Sequence, residues 1–182
     1  MQPKTLEYFQ RLNDRIYGKV NRRHYNEERV TSKIGRFLTR LLAASLAGGG
    51  SNFRSEYYLP MTLSWSFALA NTLGIELQTV GKLRSLNEAN ATTSTTLDSA
   101  LIEMANRFGD LQETVLFFAM THDEKYIAGI TTQLYVFVVY LCAVSRFLDL
   151  DFEAAMEEQF RRGCPKCNSP ECRCGFLPAQ LM

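Results

Sequence analysis

The sequence lacks a long hydrophobic run and an excess of charge of either sign. Its longest apolar run, Leu134–Val144, has eleven residues, whereas a membrane-spanning helix needs about 20. The segment after Met1 is polar and amphipathic, unlike the apolar core of a signal peptide. The formal net charge of +1 gives no general case for binding nucleic acid or a membrane. The sequence therefore predicts a cytoplasmic protein without a membrane span.

Histidine is also scarce, and its two occurrences are far apart. His24 and His122 lie in different predicted loops, so neither is favoured as a catalytic base or a metal ligand. What the chain does contain is 46% hydrophobic and 21% charged residues among 182. That composition excludes wholesale disorder and suits one domain, or two small repeats that share a core.

Apolar residues recur at helical spacing along most of the chain, and no series of strands is apparent. The predicted helices cover residues 5–20, 28–47, 58–73, 75–86, 97–118, 125–147 and 152–160. Thr5 is a predicted N-cap, Gly74 a predicted C-cap, and residues 21–26 a predicted loop. The sequence therefore predicts an all-α helical bundle.

The two halves of the chain share a pattern of apolar residues and a mid-helix glycine. Ile34-Gly35 corresponds to Phe108-Gly109 at an offset of 74 residues. This spacing favours two related antiparallel hairpin units, paired within one chain or exchanged in a homodimer, although two amphipathic hairpins also match partly by chance. The predicted parts are a first helical unit (1–86), a polar linker (87–96), a second helical unit (97–162) and a Cys-rich tail (163–182).

Four of the five cysteines lie within eleven residues of the tail. Cys164, Cys167, Cys172 and Cys174 form a C-x2-C-x4-C-x-C motif, and four thiolates in so short a loop can enclose Zn²⁺ as a structural knuckle. A reduced, flexible tail and a redox-active pair, Cys164 with Cys167, are the alternatives. The fifth, Cys142, belongs to an apolar helix and is predicted to be a core residue.

Three segments resemble the MazG-like all-α nucleoside triphosphate pyrophosphohydrolases. They are residues 5–19, residues 67–77 (FALANTLGIEL) and Phe160-x2-Gly163-Cys164-Pro165-Lys166-Cys167, which is similar to a Cys-rich tail of some members. The resemblance implies a helical fold in which E-x-x-E and E-x-x-D motifs hold Mg²⁺ against a triphosphate. Such chemistry needs carboxylate oxygens that bind the metal, and a water that the metal activates.

The chain departs from that pattern at the motif positions. The corresponding pairs, in the first half and then in the second, are Lys33 and Arg36, Tyr58 and Met61, Arg107 and Asp110, and Gln133 and Val136. Only Asp110 keeps a carboxylate, and one acid does not hold Mg²⁺ in the usual way. The resemblance therefore implies a degenerate member without catalytic residues. If the chain were an active magnesium-dependent hydrolase, its candidate acids would be Glu103, Asp110, Glu113 and Glu124.

Basic residues collect in the first quarter of the chain. Residues 1–47 carry ten Lys and Arg against four Asp and Glu, and residues 48–182 carry ten against fifteen. Lys33, Arg36 and Arg40 share one side of a predicted helix and could bind a phosphate in place of Mg²⁺. The alternatives are a solvated helix face or attraction to an acidic protein or RNA, for which there is no specific nucleic-acid signature.

Three functions remain open from the sequence. The first is a catalytically degenerate MazG-like module that binds a nucleotide, another phosphate ligand or a protein. The second is a divergent pyrophosphohydrolase that uses the four acids named above. The third is an adaptor whose zinc tail and basic helices dock onto a larger complex, and the first and third imply a protein partner or a homo-oligomer.

Overall fold

The computed structural model describes residues 4–46, 52–80, 96–161, 163–164 and 166–174. Its helices are α1 (Leu6–His24), α2 (Glu27–Leu46), α3 (Asn52–Thr72), α4 (Leu77–Val80), α5 (Leu97–Thr121), α6 (Lys125–Phe147) and α7 (Phe152–Arg161). Within these residues there is no β-strand: β-type pairing is confined to isolated bridges, one at Thr5 and one between Cys164 and Ser169. The all-α prediction is therefore confirmed.

The caps at two helix ends are those expected from the sequence. The Thr5 hydroxyl accepts a hydrogen bond from the Tyr8 amide at 3.1 Å, which satisfies one of the open donors at the start of α1. Gly74 has a φ of +67°, a left-handed conformation that glycine adopts without strain. The loop predicted from residue 21 begins only at Tyr25, because α1 continues to His24 with Asn21 buried on its inner face.

Two antiparallel hairpins form the centre of the fold. Helices α2 and α3 pair closely, as do α5 and α6, and the hairpins meet through α2 with α5 and α3 with α6. Helices α1 and α7 pack on α3, while α4 contacts α6 and α1. Phe9, Phe67, Phe137 and Phe152 are fully buried between these layers. Since α3 contacts helices on several sides, it is the central element of the bundle.

The two mid-helix glycines have different surroundings. A Cβ atom on Gly35 would lie 3.1 Å from the Phe108 ring, where α2 approaches α5 closely, whereas a Cβ on Gly109 would meet nothing within 4 Å. The matching sequence positions are therefore not matched in packing. A duplication of the hairpin unit stays a prediction.

Helix α6 is the one helix among the described residues that is long and apolar enough to cross a membrane, judged by length and composition. Half of its most apolar window is buried within the bundle. A buried core helix passes the same test, and α6 packs against α3, α4 and α5.

The predicted linker over 87–96 lies outside the described residues except for Thr96, which caps α5. The Thr96 hydroxyl accepts from the Ser99 amide at 3.2 Å, and the Ser99 hydroxyl accepts from the Thr96 amide at 3.2 Å. The predicted helical residues 81–86 and the tail residues 175–182 also lie outside the described ranges.

Candidate metal centre

The Cys-rich segment begins with a tight turn after α7. Gly163 has a φ of +74°, and a side chain there would collide with the carbonyl oxygen of Ser169. The Cys164 amide donates to that carbonyl at 2.9 Å, and the Asn168 amide donates to the Cys164 carbonyl at 2.8 Å. These bonds fold residues 163–169 back on themselves, so Cys164 and Cys167 come close together.

The second half of the segment is fixed to α1. The Cys172 amide donates to the carbonyl of Ile16 at 2.6 Å, which joins two parts of the chain far apart in sequence. Cys164 and Cys172 are buried, and Tyr17 and Phe160 lie next to each other with ring centroids 6.3 Å apart. We call residues 163–174 the knuckle, and its docking on α1 gives the thiols fixed positions.

The four Sγ atoms of Cys164, Cys167, Cys172 and Cys174 all lie within 4.8 Å of one another. The Cys164 and Cys174 sulfurs are 3.7 Å apart. A tetrahedral site with Zn–S bonds of about 2.3 Å places its sulfurs about 3.8 Å apart. The cluster can hold a metal, and its geometry is compatible with structural zinc. Four protein ligands would leave no open coordination position for catalysis.

The thiols of the cluster differ in acidity. Burial opposes ionisation of the Cys167 thiol, but hydrogen bonds to its sulfur, chiefly from the Arg173 amide at 3.4 Å, lower its pKa to about 7. Burial raises the pKa of Cys172 and of Cys174. Burial, and then the nearby thiols, raise the pKa of Tyr17. Four thiolates this close would repel one another, so a bound dication is what would keep all four ionised.

The predicted basic residues on α2 contact different partners. The Lys33 ammonium lies 6.0 Å from the centroid of the Tyr25 ring, and the Arg40 guanidinium lies 5.9 Å from that of Phe37. Arg36 is exposed and makes no ion pair with any described residue. Lys33 therefore points towards α1, while Arg36 and Arg40 are on the surface.

The four candidate acids do not converge. Arg107 lies 3.6 Å from both Glu103 and Asp110, so these two carboxylates pair with a cation of their own helix. Glu113 is exposed on α5, and Glu124 precedes α6 beyond a turn. Among the described residues, the cysteines are the one group of three or more His, Cys, Asp or Glu side chains close enough to share a metal. The described motif positions therefore do not fit the Mg²⁺ that the resemblance implies.

A cleft of about 280 Å³ that no sequence motif predicted lies between α1, α3, α7 and the knuckle. Aromatic residues contribute to its walls: Tyr17 of α1, Tyr25 directly after α1, and Tyr57 and Trp65 of α3. Tyr57 and Trp65 are eight residues apart, a spacing that places both on one side of α3. The knuckle closes one side of this cleft through Cys164, Cys172 and Cys174.

Comparison of the chain with protein-family models, with curated proteins and with solved structures gives no match.

Proposed function

We propose that this chain is a zinc-stabilised helical binding module, similar to the MazG-like enzymes but without their hydrolytic chemistry. The observation that carries the proposal is the chemistry of the side chains at the motif positions on α2 and α3, which are basic or apolar. Lys33 lies over the Tyr25 ring, and the Gln159 amide donates to the Met61 sulfur at 3.0 Å. These positions offer no carboxylate oxygen, which Mg²⁺ requires.

The second half of the chain gives the same result. Asp110 is the one carboxylate left at a motif position, and Arg107 pairs with it. The Arg107 guanidinium lies where a metal ion bound to Asp110 would lie, and it offsets the negative charge that such an ion would need. Both halves therefore support loss of activity.

The proposed ligand is a nucleotide or another phosphate compound bound at Lys33, Arg36 and Arg40. Arg36 is exposed and has no acidic partner among the described residues, so its planar donor fork is available to a phosphate. Because two of the three cations are exposed, we expect modest affinity that falls as salt increases. Cytoplasmic location is part of this proposal.

Two measurements test it. We expect no pyrophosphate release from a panel of nucleoside triphosphates with Mg²⁺ or Mn²⁺. Calorimetric titration without Mg²⁺ should show triphosphate binding that weakens at least tenfold in the Lys33→Glu/Arg36→Glu variant. Arg15→Glu on α1 is the matched control, because Arg15 is an exposed cation elsewhere and its loss should leave affinity nearly unchanged. Turnover abolished by Asp110→Asn would instead establish a divergent hydrolase.

A second candidate, an adaptor or homo-oligomer, is favoured by the outer face of α5. Ile102, Leu116, Phe117 and Met120 are exposed there, and Met120 is 70% accessible. Apolar side chains on one helix face are typical of a contact surface. Sedimentation equilibrium of the chain and of Met120→Lys tests this function. Self-association that Met120→Lys abolishes would support it, and a monomer in both cases would exclude a homo-oligomer.

A further inference from the structure

The side chain of Asn21, which has no hydrogen-bond partner among the described residues, lines the cleft between α1, α3, α7 and the knuckle. Asn21 is only 6% exposed. Asn13 lies about two turns earlier on the same helix and does have partners. Its amide donates to the Ser64 carbonyl at 3.0 Å and to the Ser64 hydroxyl at 2.9 Å. Asn13 joins α1 to α3, whereas Asn21 leaves a donor and an acceptor unused.

The aromatic walls add apolar surface and further polar groups. The Tyr25 and Trp65 rings meet edge to face, with centroids 5.3 Å apart and planes at 62°. The Trp65 indole N–H and the Tyr17 hydroxyl also have no hydrogen-bond partner within the described part of the chain. A cavity with aromatic walls and a few polar groups that are not bonded to the protein is typical of a site for a small molecule.

We propose that this cleft binds a small planar heteroaromatic molecule whose edge carries a hydrogen-bond donor beside an acceptor. Such an edge would pair with both groups of the Asn21 amide, and the ring would pack against Tyr25 and Trp65. A volume of about 280 Å³ suits one ring or two fused rings. The inference rests on the proposed function as a binding module, but it uses residues other than Lys33, Arg36 and Arg40.

The proposal couples the ligand to the metal. Cys164, Cys172 and Cys174 form one wall of the cleft, so metal in the knuckle and ligand in the cleft stabilise the same arrangement. Coupling of two sites is reciprocal in their equilibrium affinities: if zinc strengthens ligand binding, the ligand must strengthen zinc binding by the same factor. A pocket that only resembles a binding site would show neither effect.

The sole tryptophan of the chain, Trp65, makes the test direct. The probe is quinazolin-4-one, whose N–H and C=O are adjacent, and its control is the analogue methylated at that nitrogen. We expect quinazolin-4-one to change the emission of Trp65 and to bind at least tenfold more tightly than the methylated ring in calorimetry. It should also raise the affinity of the chain for zinc, measured by equilibrium competition with a chromophoric chelator. No response of Trp65 at millimolar quinazolin-4-one, or equal affinity for both rings, would overturn the proposal.

Variants distinguish the hydrogen bonds of the Asn21 amide from a general effect of packing on ligand binding. Asn21→Leu and the closer isostere Asn21→Asp should each weaken quinazolin-4-one binding at least tenfold, with thermal denaturation confirming that both are folded. Asn106→Leu replaces an exposed asparagine of α5 and should leave binding unchanged. Binding that survives both Asn21 changes contradicts the inference. The proposed function fails separately, if triphosphate binding does not depend on Lys33 and Arg36.

Discussion

The first half of this bundle (α1 to α3) and the second half (α5 and α6) differ in which side chains they bury and which they expose. Eight of the nine buried polar residues that the structure describes belong to α1, α2 and α3, and Ser145 of α6 is the ninth. Five of the seven large exposed hydrophobic residues belong instead to α5 and α6. Buried polar groups specify geometry, because each one needs a partner in one place. The ligand chemistry should therefore reside in the first half, and contacts between molecules in the second.

A hydrogen-bond network explains how the first half holds the knuckle. The Gln10 amide donates to the Ile75 carbonyl at 2.6 Å and to the Asn71 side chain at 2.9 Å, and the Leu77 amide donates back to Gln10 at 3.2 Å. These bonds fix α1 against the end of α3. Because Cys172 is bonded to Ile16 of α1, the position of the knuckle depends on the same network.

The largest expected effect comes from removing a ligand of the proposed zinc. Cys172→Ser should abolish stoichiometric zinc and lower the free energy of unfolding by about 4 kcal/mol, since loss of a metal is among the few changes of that size. Metal analysis and urea denaturation measure both quantities. Cys142→Ala in the second hairpin is the control, because it leaves the knuckle intact and should keep one zinc per chain. Equal stability of Cys172→Ser and the parent chain would contradict a structural role.

A smaller loss of stability is expected when either glycine with a positive φ, Gly163 or Gly74, is replaced by alanine. Gly163→Ala combines left-handed strain of about 1–2 kcal/mol with a collision against Ser169, so the variant should also bind zinc more weakly. Gly74→Ala has the same strain and no neighbour within 4 Å, so it should cost only about 1–2 kcal/mol and keep its zinc. Competition with a chelator and thermal denaturation distinguish the two. Undiminished zinc affinity in Gly163→Ala would show that the turn can rearrange.

The hydrogen bonds of Gln10 on α1 predict that polar substitutions cost more stability in the first half than in the second. Gln10→Ala leaves the Leu77 amide and the Ile75 carbonyl without their partner, which should cost about 1–3 kcal/mol. Gln133 of α6 has a buried side-chain oxygen without a partner among the described residues, so Gln133→Ala should be nearly neutral. Chemical denaturation of both variants measures the difference, and equal costs would contradict the assignment of polar specificity to the first half.

The smallest expected changes in stability come from replacing the two mid-helix glycines by alanine, and they should have opposite signs. Gly109→Ala adds a side chain into open space and should stabilise α5 by about 0.8–1 kcal/mol. Gly35→Ala gains the same helix propensity but presses a methyl group 3.1 Å from the Phe108 ring, an overpacking that costs about 1–3 kcal/mol. Thermal denaturation should therefore raise the midpoint of one variant and lower that of the other. A rise in both would show that Phe108 moves aside easily.

Much of the fold could be predicted because helix periodicity and caps are local properties. Which residue of α2 faces the core is less evident: Leu38 is buried, whereas its neighbour Phe37 is only half-buried and contacts Tyr57 at 6.4 Å between ring centroids. Spacings of three and four residues both suit a helix face, so the sequence does not distinguish these neighbours.

The thiol cluster was predicted and the cleft was not, for a physical reason. The four cysteines are close in sequence, so a short loop brings them together whatever the rest of the chain does. The cleft depends on how α1, α3 and α7 approach one another, which no local pattern records. Asn21 was assigned to a loop, whereas the structure places it in the last turns of α1, where it lines the cleft.

X-ray absorption at the zinc edge of the purified chain tests the central claim most directly, namely that the knuckle is a four-thiolate metal site that shapes the cleft. We predict one zinc per chain with four sulfur neighbours at about 2.3 Å, unchanged when a ring ligand is added. A first shell dominated by nitrogen or oxygen, or a chain that folds with four free thiols and binds no metal, would contradict it.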